Sequence, residues 1–225
     1  MRLILASASP RRAELLRWAG YTFDVVVADV DETIRAGETP SAYVRRLAAD
    51  KSAGAIAALE GGAPADLAAE KSGATADLAA LKDCATLVQV AQGFSPAETV
   101  ILAADTTVVI DGEILGKPRD DEDGRDMLRR LSGHAHEVLT GVSLRLGAVE
   151  IGRVEVTSVV FRALTEDEVA WYVASGEGRD KAGGYAIQGL ASRFIPSISG
   201  SYSNVVGLPV ACVDELLRSL LASRR

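Results

Sequence analysis

The sequence predicts an α/β protein, and three observations support that class. Residues 100–104 (VILAA) form a continuous apolar run, which is typical of a strand covered on both faces. Short strand patterns alternate with longer helical patterns over residues 3–59. Asp111 and Gly112 form a two-residue hairpin signal between the β-branched run 108–110 and a returning strand at residues 113–115.

The elements of the amino-terminal part can be assigned in order. Residues 3–6 predict a short buried strand, and Ser9 and Pro10 are a favourable N-cap and first residue for the helix that follows. Residues 23–27 predict a second strand, and residues 40–59 predict a long helix. The apolar side of the first helix carries Leu15, Leu16, Trp18 and Ala19.

The carboxy-terminal part adds an antiparallel hairpin and further helices. Residues 120–131 predict a polar-faced helix, and residues 142–161 predict a long hairpin. Thr165 begins the next helix, because Glu168 three residues later completes a capping box. Pro209 opens the last helix.

Composition indicates an ordinary globular protein and argues against several classes. The chain has 225 residues, of which 48% are apolar and 24% charged, which allows one large or two small domains. A net charge of −7 argues against a nucleic-acid or anionic-membrane surface, so any phosphate site must be a local concentration of Arg and Lys. No apolar run approaches the ~20 residues of a membrane span. Cys84 and Cys212 are far apart and lack metal-ligand spacing, which predicts reduced thiols in a cytosolic protein.

Residues 61–96 are rich in alanine and nearly repeat themselves. ADLAAEK at residues 65–71 returns as ADLAALK at residues 76–82. This spacing is close to three helical turns, so we expect an inserted helical segment. Its role is either that of a lid or contact surface or that of a neutral extension, and the neutral extension is favoured.

A candidate anion site lies where the first strand leads into the first helix. Ser7, Ser9, Arg11 and Arg12 converge there with the free amides of the helix N-terminus. The amides and the helix dipole both favour negative charge, so a phosphate group is the expected ligand. The alternative is a plain capped helix with solvated arginines.

A second candidate site follows the central apolar run. Asp105 stands at the predicted end of that strand, and Lys117 follows Gly116 across the hairpin, which suits a phosphate and its metal ion. Glu32, in an acidic loop, is a further candidate ligand, because Mg²⁺ prefers carboxylate oxygens. The alternatives are a turn aspartate, a surface lysine and a solvated acidic loop. The position of Lys51 in the long helix, taken alone, predicts a surface residue.

Two further motifs carry polar side chains that could bind a ligand. His134 and His136 occupy alternate strand positions and could bind a metal, but without another ligand nearby a structural role for one of them is favoured. The glycine-dense loop at residues 176–189 carries Lys181 and Gln188. The Gln188 amide is both donor and acceptor, so it could read a nucleobase edge.

Six motifs occur in order along the chain, and all of them lie outside residues 61–96. They are SASPRR (7–12), AADT (103–106), GKP (116–118), SGHAHEVLTG (132–141), KAGGYAIQG (181–189) and SGSYSNVVGLP (199–209). Together they closely resemble the Maf family of nucleoside triphosphate pyrophosphatases, in which the segment equivalent to residues 61–96 is normally much shorter.

The resemblance implies an α/β fold with a mixed, twisted sheet, flanking helices and two lobes around a central cleft, as in the inosine triphosphate pyrophosphatases. It implies a single domain over residues 1–225, a cytoplasmic homodimer, and hydrolysis of a nucleoside triphosphate to the monophosphate and pyrophosphate. The IQG ending at Gly189 resembles the branch that acts on dTTP and UTP; the alternative is the branch that acts on 7-methyl-GTP.

The resemblance also implies roles for individual residues. Asp105 is the expected general base, and Arg11, Thr106 and Gln188 are the positions associated with choosing the base. We expect Glu32 and Asp105 to hold a divalent cation, Mg²⁺ or Mn²⁺. The other expected triphosphate contacts are Ser7, Ser9, Arg12, Lys51, Lys117 and Lys181.

An alternative of a different class is a nucleotide-binding regulator of septum formation with little turnover. Asp105 beside phosphate-binding cations favours catalysis, because a sensor does not need a base.

Overall fold

One seven-stranded sheet runs through the part of the chain that the computed structural model describes, residues 2–61 and 95–222. Its strands are β1 (Arg2–Ala6), β2 (Asp24–Val26), β3 (Thr99–Ile110), β4 (Glu113–Leu115), β5 (Ala135–Leu146), β6 (Val149–Val160) and β7 (Ser197–Ser199). The helices are α1 (Pro10–Trp18), α2 (Pro40–Glu60), α3 (Asp121–Leu131), α4 (Glu166–Ala174), α5 (Tyr202–Val206) and α6 (Val210–Ala222). Short 3₁₀ turns at Ala182–Gly184 and Leu190–Phe194 lie between α4 and β7.

The sheet is mixed, which confirms the predicted class. Its order is β2-β1-β3-β5-β6-β7, with β1 parallel to both neighbours and β3, β5, β6 and β7 successively antiparallel. The short β4 pairs antiparallel with the distal end of β3. Because β5 occupies one edge of β3 from Val100 to Val109, β1 and β4 share the other edge.

Helices cover both faces of the half of the sheet that contains β1, β2 and the first residues of β3. We call this the proximal half, and the half that contains the end of β3 the distal half. Along β3, Val100, Leu102 and Ala104 belong to a buried cluster with α1 and α6. Ile101 and Ala103 belong to a second buried cluster, with α2. Successive strand side chains point to opposite faces, so a strand covered on both faces needs an uninterrupted apolar run.

The distal half of the sheet has its own core. Val108 and Ile110 of β3 join a buried cluster with α3 and α4 that includes the aromatic rings of Phe161, Tyr172 and Phe194. The β3 strand therefore passes through both cores. We call the described residues around the first core the proximal lobe and those around the second core the distal lobe.

Two predicted local motifs are confirmed. Asp111 and Gly112 both have positive φ, 52° and 78°, as the two-residue hairpin between β3 and β4 requires. The capping box of α4 is present, because the Glu168 N–H donates to the Thr165 hydroxyl and the Thr165 N–H donates to the Glu168 carboxylate.

Two predicted strand boundaries are wrong. The β3 strand does not end at Asp105 but continues to Ile110, because Thr106 and Thr107 are β-branched residues that suit a strand. The predicted strand at residues 23–27 is shorter, Asp24–Val26, because only these residues pair with β1.

The predicted place of Trp18 in the core is also wrong. Trp18 is 78% exposed, whereas Leu16 is fully buried. Trp18 lies about 200° around the helix from Leu16, so it faces away from the sheet.

Some sequence predictions fall on residues outside the described ranges. The helical insertion predicted for residues 61–96 lies there except at its ends, and so does Cys84. Cys212 is a buried free thiol of the proximal core. Within residues 2–61 and 95–222, no helix has the length and apolar character to cross a membrane.

Candidate active site

A gap in the sheet brings many of the predicted site residues together. β1 pairs with β3 as far as Leu102, and β4 pairs with the same edge from Val108 onward. Within the described part of the chain, no strand pairs with that edge over residues 103–107. The loops that follow β1 and β4 border the gap from its two ends, and Asp105 lies in its middle.

Asp105 lies on the α2 face of the gap and binds Lys51. The Lys51 ammonium donates to Asp105 Oδ1 at 2.6 Å and to Glu32 Oε1 at 2.7 Å. Asp105 is only 8% exposed. One ammonium thus joins two predicted metal ligands, and Lys51 is not the surface residue that its helix position alone suggests.

The α2 helix lies close to the sheet because two glycines leave room for it. A Cβ at Gly141, the β5 partner of Asp105, would stand 2.2 Å from the carbonyl oxygen of Val44. A Cβ at Gly152 would stand 2.6 Å from Cζ of Arg45. These glycines allow α2 to pack close to the sheet, and this places Lys51 of the same helix at the gap.

Thr106 lies on the opposite face of the strand, where Arg12 binds it. Arg12 donates from Nη2 to the Thr106 hydroxyl at 3.1 Å and from Nη1 to the Ser7 hydroxyl at 3.2 Å. Its Nε donates to the carbonyl oxygen of Gly207 at 2.8 Å. Three of the five guanidinium N–H groups therefore fix the side chain at the gap.

The start of α1 differs from the predicted cap. Ser9 occupies the N-cap position with extended backbone, but its side chain makes no capping hydrogen bond. Instead the Ser9 N–H donates to the Ser7 hydroxyl at 3.2 Å. Without a side-chain cap, the N–H groups of the first turn remain suited to an anion.

The charges at the gap affect one another. Burial lowers the pKa of Arg12, against the charge of Asp105, which raises it. Burial raises the pKa of Glu32, but the hydrogen bond and charge of Lys51 and the charges of Lys117 and Arg12 outweigh it, so the pKa lies below its ordinary value. The pKa of Arg12 therefore depends on the charge of Asp105, and the pKa of Glu32 depends on the charges of Lys51, Lys117 and Arg12.

Lys117 and Lys181 lie on neighbouring loops of the distal lobe. The Gly183 N–H donates to the Gly116 carbonyl oxygen at 3.0 Å, so the loop that carries Lys181 is joined to the one that carries Lys117. The Lys181 ammonium donates to Asp180 Oδ1 at 2.5 Å.

Arg11, the second residue of α1, contributes to the charge that acts on Asp180. Burial raises the pKa of Asp180, but the hydrogen bond and charge of Lys181 and the charge of Arg11 outweigh it and lower the pKa overall.

Gln188 is the exposed residue of a turn in the distal lobe. The turn spans residues 186–189 and is closed by the Gly189 N–H, which donates to the Ala186 carbonyl oxygen at 3.1 Å. The preceding side chain, Ile187, is buried in the distal core and anchors the turn. The role of Gln188 in base choice stays a prediction.

The structural role predicted for one histidine is confirmed. His136 is buried, its Nε2 lies 2.8 Å from the Tyr185 hydroxyl, and burial lowers its pKa to about 4. His134 is exposed, with Nδ1 2.8 Å from the Ser132 carbonyl oxygen.

The two carboxylates at the gap fit a divalent cation only together with a phosphate ligand. In residues 2–61 and 95–222, no three His, Cys, Asp or Glu side chains cluster to hold a metal ion. Glu32 and Asp105 nevertheless converge on one cation, the Lys51 ammonium. Mg²⁺ at nucleotide sites is held by one or two carboxylates with phosphate oxygens and water, so this donor set fits it.

Sequence reasoning missed the residues that hold Thr106 in place. The hydroxyls of Thr106 and Thr140 lie 2.9 Å apart, and Thr140 donates to the Asn204 carbonyl oxygen at 3.2 Å. Asn204 is fully buried and donates from Nδ2 to the Val138 carbonyl oxygen at 2.9 Å. The available signal was Thr140 followed by Gly141 inside an otherwise apolar strand pattern.

The fold and the gap define a class of protein. This is an α/β protein whose two lobes bring cations and a helix N-terminus around a pair of carboxylates. Cations and helix amides suit the phosphate groups of a ligand, and a buried carboxylate beside them can act as a base in hydrolysis.

The chain belongs to the Maf-like protein family, whose model matches residues 2–220, and this confirms the resemblance carried by the six motifs. It is 45% identical over 221 residues to a dTTP/UTP pyrophosphatase from Anaeromyxobacter dehalogenans (strain 2CP-C), covering 96% of this chain and 93% of that protein. Proteins of the same name from Vibrio cholerae and Methylococcus capsulatus are 43% and 42% identical, covering 96% and 98% of this chain and 96% and 91% of theirs.

Among solved structures, a HAM1 protein from Coxiella burnetii aligns over 99% of both chains, with a TM-score of 0.46 and 14% identity. A likeness at that level carries no conclusion about this chain.

Proposed function

We propose that this protein hydrolyses dTTP and UTP to the nucleoside monophosphate and pyrophosphate. The observation that carries the proposal is the gap in the sheet, where Asp105 lies with Lys51 on one face and Thr106 with Arg12 on the other. The relatives named dTTP/UTP pyrophosphatase support the substrate assignment, since they match nearly the whole chain.

In the proposed reaction, a water molecule attacks the α-phosphorus of the bound triphosphate. Asp105 orients the water and accepts its proton as the new bond between oxygen and the α-phosphorus forms. The bond between the α-phosphorus and the bridging oxygen breaks, and that oxygen leaves with pyrophosphate. Proton transfer to a carboxylate contributes ~10²–10⁴-fold, and the rest comes from position and charge.

The cations around the gap would stabilise the triphosphate and the departing pyrophosphate. Arg12 and Lys51 are partly buried and held by hydrogen bonds, so they meet the phosphates without reorganising. Lys117 and Lys181 would bind the same phosphates from the distal lobe. Ser7 and Ser9, with the first amides of α1, complete the phosphate contacts.

Glu32 and Asp105 would hold a divalent cation, Mg²⁺ or Mn²⁺, once the triphosphate supplies further oxygens. Such an ion neutralises phosphate charge and polarises the phosphorus–oxygen bonds when bound. Lys51 then has a second role, because its ammonium holds the two carboxylates together in the free protein.

Arg11, Thr106 and Gln188 would select the base. Thymine and uracil present the same pattern, a carbonyl acceptor beside an N–H donor, and one glutamine amide can match both groups. Cytosine has an amino group in place of that carbonyl, so a fixed amide would discriminate against it.

A panel of nucleoside triphosphates tests the proposal. Purified protein with Mg²⁺ or Mn²⁺ is incubated with dTTP, UTP, dCTP, GTP and 7-methyl-GTP, and pyrophosphate and orthophosphate are measured separately. We expect pyrophosphate from dTTP and UTP at higher kcat/KM than from the others. A preference for 7-methyl-GTP, or binding of nucleotides without turnover, would instead support one of the two alternatives and contradict the proposal.

We also propose that the protein works as a cytoplasmic homodimer. The family resemblance supports the dimer, and the free thiol of Cys212 fits a reducing compartment such as the cytoplasm. Light scattering coupled to size exclusion measures the mass directly, and a mass of one chain, 23.6 kDa, would contradict the dimer.

A further inference from the structure

We infer that Tyr172 and Glu177 position the Gln188 turn, residues 186–189, and thereby set base selectivity. This inference rests on the proposed function, in which Gln188 reads the base. Neither residue is expected to touch the nucleotide, so both are positioning residues. We call the two side chains together the Tyr172–Glu177 pair.

The pair accepts hydrogen bonds from the first backbone amide of the turn and from the amide that follows the turn. The Tyr172 hydroxyl accepts from the Ala186 N–H at 3.0 Å. Glu177 Oε1 accepts from the Leu190 N–H at 2.9 Å. The chain is therefore held two residues before and two residues after the exposed Gln188.

The two side chains also fix each other. The Tyr172 hydroxyl donates to Glu177 Oε2 at 2.8 Å, so one hydroxyl both donates and accepts. Tyr172 is buried in the distal core, and Glu177 is partly buried. The Tyr172 ring cannot move without disturbing that core. Its hydrogen bonds therefore restrict the motion of the Glu177 carboxylate and of the turn.

Gly189 makes room for the carboxylate. A Cβ at Gly189 would stand 2.0 Å from Oε1 and 2.5 Å from Cδ of Glu177. The backbone of Gly189 has negative φ, −113°, so alanine would introduce a contact problem rather than left-handed backbone strain. The sequence thus places glycine where the turn and the carboxylate come closest.

The same residue also supports a predicted phosphate contact. The backbone carbonyl oxygen of Glu177 accepts from the Lys181 ammonium at 2.7 Å. Glu177 therefore holds the loop at two points, with Lys181 on one side and Gln188 on the other. Because a displacement of about 1 Å can change rates by up to about 10²-fold, loosening this support is expected to affect nucleotide recognition.

Two substitutions disturb the support in different ways. Glu177→Ala removes the acceptor of the Leu190 amide, and Gly189→Ala displaces the carboxylate while keeping it in the chain. We expect each to lower the ratio of kcat/KM for dTTP to that for dCTP by about tenfold or more, mainly through a higher KM for dTTP. Glu177→Gln keeps an oxygen acceptor for the Leu190 amide and is expected to retain most of the selectivity.

Matched variants control for the loss of a carboxylate and for the added methyl group. Glu215→Ala removes a carboxylate that pairs with Arg153 on the surface. Gly124→Ala adds a methyl at ordinary contact distance, 3.7 Å from its nearest neighbours. Both are expected to keep the wild-type ratio.

Amide hydrogen exchange gives a readout that does not depend on turnover. Glu177→Ala is expected to speed exchange at the Leu190 amide by at least about tenfold, as for a lost hydrogen bond of about 1.4 kcal/mol. Unchanged exchange at that amide, or faster exchange with an unchanged dTTP-to-dCTP ratio, would overturn the inference. Absence of pyrophosphate release from every triphosphate by the wild-type protein would instead contradict the proposed function itself.

Discussion

At the scale of the residue, the alternation of side chains along β3 decides which groups meet at the gap. Asp105 lies on the α2 face and binds Lys51, whereas Thr106 lies on the α1 face and binds Arg12. One strand thus presents a carboxylate and a hydroxyl to cations from two different helices. A ligand lying across the unpaired edge can reach both faces.

Asp105→Asn tests the base. The amide cannot accept a proton at neutral pH, so we expect turnover of dTTP to fall ~10²–10⁴-fold. The measurement is steady-state release of pyrophosphate.

Asp111→Asn is the matched control, because asparagine tolerates the positive φ of that exposed turn residue. It is expected to keep wild-type turnover. Near-normal turnover of Asp105→Asn would remove Asp105 from the base role.

His136 predicts a specific pH dependence of stability. Burial lowers the pKa of His136 to about 4, below the value of about 6.5 for an exposed imidazole, so the unfolded chain binds more protons between these values. The free energy of unfolding contributed by His136 is therefore fully present above about pH 6.5 and is lost as the pH falls towards about 4.

His136→Gln removes this titration while leaving a polar partner for Tyr185. In urea unfolding, the variant is expected to lose less stability than the wild type between about pH 7 and about pH 5. An equal loss in both proteins would show that His136 does not titrate as expected.

At the scale of the element, the position of α2 depends on Gly141. The glycine pairs with Asp105 across the sheet and lets the backbone of Val44 approach. The α2 helix thereby lies close enough to the sheet for the Lys51 ammonium to contact the Asp105 carboxylate at 2.6 Å.

Gly141→Ala is expected to push α2 away from the sheet. The added methyl would meet backbone atoms at 2.2–2.8 Å, and a helix backbone cannot yield as a side chain can. We expect a loss of about 1–3 kcal/mol in the free energy of unfolding together with reduced turnover.

Denaturant unfolding and pyrophosphate release measure the two effects of Gly141→Ala. Gly124→Ala again serves as control, because its methyl has room. Wild-type values for both quantities in Gly141→Ala would mean that the close approach does not position Lys51.

Much of the element pattern could be predicted from the sequence, because it depends on local signals. The apolar run of residues 100–104, the turn at Asp111 and the capping box of α4 all act over a few residues. The continuation of β3 through Asp105 was missed, because pairing with β5 over the whole strand outweighs a single acidic residue.

At the scale of the whole molecule, the site exists because two lobes share one interrupted sheet edge. Neither the gap at residues 103–107 nor the contact of Lys51 with Asp105 has a local signal, since both depend on pairing between distant segments. The family motifs contain residues that meet at the gap, such as Arg12 and Thr106. The contacts that we infer to position Gln188, those of Tyr172 and Glu177, have no signal in the sequence. These contacts are hydrogen bonds from Ala186 to Tyr172 and from Leu190 to Glu177, which join residues 14 and 13 positions apart in the sequence.

In the proposed mechanism, cations from both lobes hold a triphosphate so that water, activated at Asp105, attacks the α-phosphorus. Hydrolysis of dTTP in isotopically labelled water, followed by mass spectrometry of both products, tests it most directly. We expect one labelled oxygen in the monophosphate and none in pyrophosphate. Label in pyrophosphate would place the attack at the β-phosphorus and contradict this mechanism.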